Sequence, residues 1–247
     1  MMRLLVSVRS VDEALLAAAD GADFIDLKEP GQGALGGLPV AIVAAIVAAL
    51  RDARIGLPVS ATIGDLPMAA LEGILARVDA VGGCGVTWVK VGIERDPAAP
   101  AVLDALAHCG RPVIPVFIAD RGLDHGLVAH ALALGFPGLM ADTADKRAGS
   151  LFDLLPLPAL RRFVAQARAA GAMVGLAGAL RAADAERLAA LAPDFAGFRS
   201  AVCNGDRAGA LDAQRLRMLA ASLAAAQAPG TRSSPSSIVR MRESSPR

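Results

Sequence analysis

A single (β/α)₈ barrel is the fold this sequence predicts, on three observations. Eight short apolar runs alternate with eight alanine- and leucine-rich segments of helical spacing between residues 1 and 226. Such strict alternation makes parallel sheets, and eight units close into a barrel. A chain of 247 residues fits one such domain. The alternative is a doubly wound sheet, but no GxGxxG turn follows the first strand run.

The strands are expected at Leu4–Val8, Phe24–Lys28, Val59–Ile63, Val86–Ile93, Val113–Ala119, Gly138–Asp142, Met173–Ala177 and Gly197–Ala201. The helices between and after them are expected at Val11–Asp20, Pro39–Arg54, Pro67–Val81, Ala99–Cys109, Leu123–Leu134, Leu157–Ala170, Arg181–Leu191 and Ala208–Ala226. Pro39 and Pro67 suit a first helical turn, and Asp65 is placed to cap the helix after it. Gly21, Gly110, Gly135 and Gly171 suit helix stops. From residue 227 to 247 the chain turns rich in Ser, Pro and Arg without an apolar face. That tail is expected to be disordered.

Composition excludes several classes. Net charge is +1 and aromatic content 3%, with one Trp and no Tyr. Neither a nucleic-acid binder nor a binder of acidic membranes is expected. The opening MMRLLVSVRS is too short in apolar residues for a signal peptide, and the run from Val40 to Leu50 is too short to span a bilayer. Cys84, Cys109 and Cys203 lack metal or disulfide spacing and read as buried thiols in a reducing compartment. A cytoplasmic, homo-oligomeric enzyme with a small phosphorylated substrate is expected, without cofactor or metal.

Charge placement is the sharpest signal. All but three of the 25 basic residues are arginine. The three lysines, Lys28, Lys90 and Lys146, all lie on or just past a predicted strand. Arginine stays protonated, whereas lysine can lose its proton when buried. In a barrel, chemistry gathers at the C-terminal ends of the strands. Asp26 and Lys28 are two apart, so period-two geometry puts both inside, opposite the apolar Ile25 and Leu27. A structural ion pair is one reading. The other is a lysine that attacks a carbonyl to form a Schiff base, with the carboxylate moving protons. Lys90, between Val89 and Val91, points inward by the same alternation. It is a candidate proton acceptor or a point charge for phosphate. Asp142 and Lys146 are four apart after the sixth strand, as a catalytic rim or a surface pair.

Two glycine-bearing segments, LAGAL (176–180) and GFRSAVC (197–203), follow or overlap the last two strands. Barrels bind phosphate with backbone N–H groups at these loops. The candidate cradle is Gly178 and Ala179 in the first, with Arg199 and Ser200 in the second; Arg199 would supply a guanidinium fork. GQGALGG (31–37) is a plausible anion-cradling or mobile loop. His108, His125 and His130 have no metal spacing and read as structural or solvated.

The segments DLKEPGQGALGG, VSATIGD, VKVGI, ADTADKRAGSLFD, GLAGALR and GFRSAVCNGDR, in this order, resemble the (5-formylfuran-3-yl)methyl phosphate synthase family of methanofuran biosynthesis. The resemblance covers Leu4 to Ala220. It implies a barrel that condenses two molecules of glyceraldehyde 3-phosphate with loss of phosphate and water. It implies Lys28 as the Schiff-base lysine, Lys90 as proton acceptor, and Asp26, Asp142 and Lys146 in support. Spacing alone reaches only a Schiff-base barrel. A class I aldolase releasing a linear sugar phosphate, and a non-catalytic sugar-phosphate sensor, remain open on the residues.

Overall fold

The fold was obtained as a computed structural model, which describes residues 1–33 and 35–228. Eight parallel strands close into one barrel: β1 (Arg3–Val8), β2 (Phe24–Leu27), β3 (Val59–Thr62), β4 (Trp88–Ile93), β5 (Val113–Ile118), β6 (Gly138–Asp142), β7 (Met173–Leu176) and β8 (Phe195–Phe198). β8 pairs with β1 in register Arg3 with Phe195 through Val6 with Phe198, which leaves no free edge. The outer layer is α1 (Val11–Ala19), α2 (Val40–Asp52), α3 (Leu71–Gly82), α4 (Ala99–Ala107), α5 (His125–Ala133), α6 (Leu151–Leu154), α7 (Leu157–Ala169), α8 (Ala185–Leu191) and α9 (Ala213–Gln227). Their apolar faces and the outward-facing strand residues, such as Ile25, Leu27, Val89 and Val91, form the larger core.

The expected elements are present, with shifts that have local causes. α6 was not expected; a single turn carries too little periodicity to be read. The last helix begins at Ala213 rather than 208, because residues 203–211 form a loop closed by a bridge between Cys203 and Leu211. Its start is capped by Asp212, whose side chain accepts from the Arg215 N–H. α3 begins at Leu71, and Asp65 does not cap it. Both Asp65 carboxylate oxygens instead accept from the Leu35 N–H, at 3.1 and 3.3 Å, and fasten the loop after β2. Gly21, Gly110, Gly135 and Gly171 follow α1, α4, α5 and α7 in left-handed backbone, as helix stops require. Cys203 is buried, but Cys84 and Cys109 are only partly so.

The expected tail lies outside the described residues, apart from its first two positions. Of these, Gln227 belongs to α9 and exchanges hydrogen bonds with the Met2 backbone. No helix among the described residues is long and apolar enough to cross a membrane.

The barrel interior is stratified. Its floor is aromatic: Phe24 meets Trp88 at 5.7 Å and Phe195 at 5.6 Å between ring centroids, both edge-on. Gly175 leaves room for this, since a Cβ there would fall 2.1 Å from the Phe195 ring. Above the floor the inward positions become polar. Ser7, Asp26 and Ser60 are register partners across β1, β2 and β3, and Lys90 is the partner of Thr62. A dry floor beneath a charged upper layer fixes where the charged groups can act.

Candidate active site

Three lysines and two aspartates converge on one cleft at the C-terminal mouth of the barrel. All five of these residues line it. Asp26 is its deepest carboxylate. It accepts from Ser60 Oγ at 2.6 Å, Ser7 Oγ at 3.1 Å and Lys90 Nζ at 2.8 Å. Lys90 is 2% exposed, so its amine is buried and held by Asp26. Asp142, at the end of β6, accepts from Lys28 Nζ at 3.3 Å, from Lys146 Nζ and from the Thr143 N–H at 2.7 Å. Lys146 Nζ also donates to the Thr143 carbonyl.

This pairing differs from the one the spacing suggests. Asp26 and Lys28 share the interior, but they do not bond to each other. Strand tilt in a barrel places residues two apart in different layers. Asp26 therefore lies level with Lys90, and Lys28 with Asp142. Lys28 has the most loosely held amine of the three, with one contact at 3.3 Å among the described residues.

Burial and charge act against each other here. Burial alone would raise the Asp142 carboxyl, but the Lys146 and Lys28 cations outweigh it and bring it from 3.8 to about 2. Burial lowers Lys146 from 10.5 to about 8; Asp142 opposes this, while Lys28 and Arg207 add to it. Burial also lowers Lys90, against the pull of Asp26 and with help from Lys28. Asp26 is held low because Lys90 and Lys28 together overcome its burial.

Gly178 and Ala179 line the same cleft in left-handed backbone, at φ +109 and +47. A Cβ on Gly178 would sit 2.9 Å from Thr143 Cγ2, so glycine is needed for both conformation and space. The N–H groups of Gly178, Ala179, Leu180, Ser200 and Ala201 donate to no acceptor among the described residues. They form a backbone donor set at the ends of β7 and β8.

Arg199 does not act as the expected fork. All five of its N–H donors are engaged by the protein. Nη1 and Nη2 grip Glu13 at 2.6 and 3.0 Å; Nη1 also reaches the Ser7 carbonyl, Nη2 the Gly209 carbonyl and Nε the Arg207 carbonyl. Glu13 is buried in the first turn of α1, so the pair is a structural clamp. Ser7, Ser60 and Glu13 were missed in the sequence. The signal for the serines was their inward strand phase; Glu13 lies 186 positions from its partner and left none. His108 and His130 both contact Asp104, and His125 contacts Gln166, all away from the cleft. No group of three or more His, Cys, Asp or Glu side chains among the described residues is placed to hold a metal.

The sequence profile of the 4-HFC-P synthase family matches residues 4–220, nearly all of the barrel. The chain belongs to this family. The (5-formylfuran-3-yl)methyl phosphate synthase of Archaeoglobus fulgidus is 34% identical over 221 residues, covering 83% of this chain and 92% of its own. The synthase of the same name from Methanopyrus kandleri is 34% identical over 244 residues, 90% and 99% of the two chains. A Methylorubrum extorquens protein, provisionally named for the same activity, is 40% identical over 215 residues, 87% and 88%. Among solved structures, phosphoribosyl anthranilate isomerase from Thermus thermophilus superposes with a TM-score of 0.62 at 21% identity, over 91% of this chain and 99% of its own. The 3-hexulose-6-phosphate synthase of Salmonella typhimurium gives 0.59 at 19%, over 90% and 100%. At these identities the structural likeness speaks for the barrel alone.

Proposed function

We propose that this cleft joins two molecules of glyceraldehyde 3-phosphate into (5-formylfuran-3-yl)methyl phosphate, as a lyase working through a Schiff base on Lys28. The observation that carries the choice of lysine is how the three amines are held. Lys90 is locked on Asp26 and Lys146 is shared between Asp142 and Thr143, while Lys28 lines the cleft with a single side-chain contact, at 3.3 Å, among the described residues. The nitrogen of Lys28 adds to a triose carbonyl, and water leaves to give the iminium. Lys90 takes the proton from the adjacent carbon, and the electron pair moves into the iminium to give an enamine. The enamine carbon attacks the aldehyde of the second triose. Lys146, with Asp142 beside it, gives protons to departing oxygens; its pKa of about 8 keeps it protonated at neutral pH yet able to donate. Hydrolysis of the imine returns the lysine. Atom balance requires one orthophosphate and two waters to leave, with no net oxidation, so no redox cofactor is called for. Gly178, Ala179 and Ser200 offer backbone N–H groups to a phosphate.

Incubation with glyceraldehyde 3-phosphate alone tests this. A furan aldehyde absorbing in the ultraviolet, formed with one orthophosphate per turnover, is expected. A linear hexose phosphate without orthophosphate release would assign an ordinary aldolase instead.

A further inference from the structure

Arg207 joins the three lysines, Asp26 and Asp142 in lining the cleft. Arg199 lines it too, but its charge is matched by Glu13. Arg207 sits on the 203–211 loop, half-buried, and lines the cleft with Gly178, Ala179 and Ser200. Its Nη2 donates to the Gly33 carbonyl at 3.0 Å, and its remaining donors meet no acceptor among the described residues. Its loop is held from beneath: Arg199 bonds the Arg207 carbonyl at 2.9 Å and the Gly209 carbonyl at 2.7 Å. One arginine is thus fully engaged in structure so that the next can face the cleft.

We propose that Arg207 is the side chain that binds a substrate phosphate, completing the backbone donors of Gly178, Ala179 and Ser200, and that the Glu13–Arg199 clamp positions it. This rests on the reading of the cleft as a triose-phosphate site. Two further features favour it. Arg207 acts electrostatically on both Lys146 and Asp142, so a phosphate held there lies beside the proton donor. Its bond to Gly33 ties the β2 loop, which follows Lys28, to the phosphate end of the cleft. Arginine fits the task because its planar fork matches two phosphate oxygens.

The probe is glycerol 3-phosphate, which has the phosphate but no carbonyl and cannot form an imine. Calorimetry should show it binding the full chain, weakened about 10- to 100-fold in Arg207→Gln, as expected for one charge-assisted contact, and partly restored in Arg207→Lys. Borohydride trapping by unphosphorylated glyceraldehyde should fall far less in Arg207→Gln than glycerol 3-phosphate binding does, which separates the phosphate contact from the amine chemistry. Phenylglyoxal labelling of the wild type, read by peptide mass, needs no variant: glycerol 3-phosphate should slow modification of Arg207. Unchanged glycerol 3-phosphate binding in a folded Arg207→Gln, or unprotected Arg207 in the wild type, would overturn the assignment. Normal phosphate binding with no imine on Lys28 would instead defeat the Schiff-base reading and leave Arg207 in place.

Discussion

Two buried ionic groups lie side by side at the mouth of this barrel, and they differ in their cation. In one, Arg199 meets Glu13 through two short bonds and gives its other donors to three backbone carbonyls. In the other, Lys28, Lys90 and Lys146 share Asp26 and Asp142. Arginine keeps its charge under burial and locks geometry with a rigid fork. Lysine under the same burial loses proton affinity, as Lys90 and Lys146 do. In a chain where arginine is the default cation, the three lysines are gathered in this one cleft.

The lysine group is where substitutions should cost activity most. Lys28→Arg keeps the charge but not the usable amine, and turnover should fall to background. Folding should survive it, since Asp142 keeps a cationic partner. Lys90→Met and Lys146→Arg should each lower kcat by about 10²–10⁴-fold, the range for a lost acid or base. In Lys146→Arg the adduct on Lys28 should still form. The kcat/KM profile of the wild type should also fall above about pH 8, as Lys146 loses its proton, and this limb should be missing in Lys146→Arg.

The arginine group should respond in stability instead. Glu13→Gln leaves Arg199 buried without its carboxylate, which costs about 3–5 kcal/mol. For a chain of this length that is a fall of roughly 6–20 °C in Tm. The imine on Lys28 should still form in the folded fraction. A Glu13→Gln protein with unchanged Tm would erase the distinction between the two groups.

Much of this contrast was legible in the sequence, and its limits are physical. Period-two alternation placed Asp26, Lys28 and Lys90 inside the barrel, because that period is local and rigid. It could not say that Asp26 would bond Lys90, or Lys28 bond Asp142, since those partners depend on strand tilt across the closed sheet. Arg199 reads as a phosphate fork because its place at the last strand gives position but not occupancy. The residue that occupies it, Glu13, is a helix-start carboxylate indistinguishable in sequence from an ordinary capping one. Asp65 was misassigned in the same way: it holds the Leu35 N–H and not a helix end.

A smaller effect comes from acid. The Asp142 carboxyl is depressed from 3.8 to about 2, so its stabilisation is complete above 3.8 and fades as pH falls through about 2. It amounts to about 2 kcal/mol. Denaturant titrations between pH 5 and 2 should show this loss in wild type and a flatter slope in Asp142→Asn. Smallest of all is removal of residues 229–247, whose Ser, Pro and Arg composition offers little to bury. Tm and turnover should stay within error, and a drop in either would show that the tail contributes to the fold or the cleft.

The assignment of chemistry to the lysine group turns most directly on borohydride trapping with glyceraldehyde 3-phosphate, read by peptide mass spectrometry. One triose-derived mass on the peptide bearing Lys28, absent in Lys28→Arg, is the predicted result. A label on Lys90 or Lys146, or turnover without any reducible adduct, would contradict it.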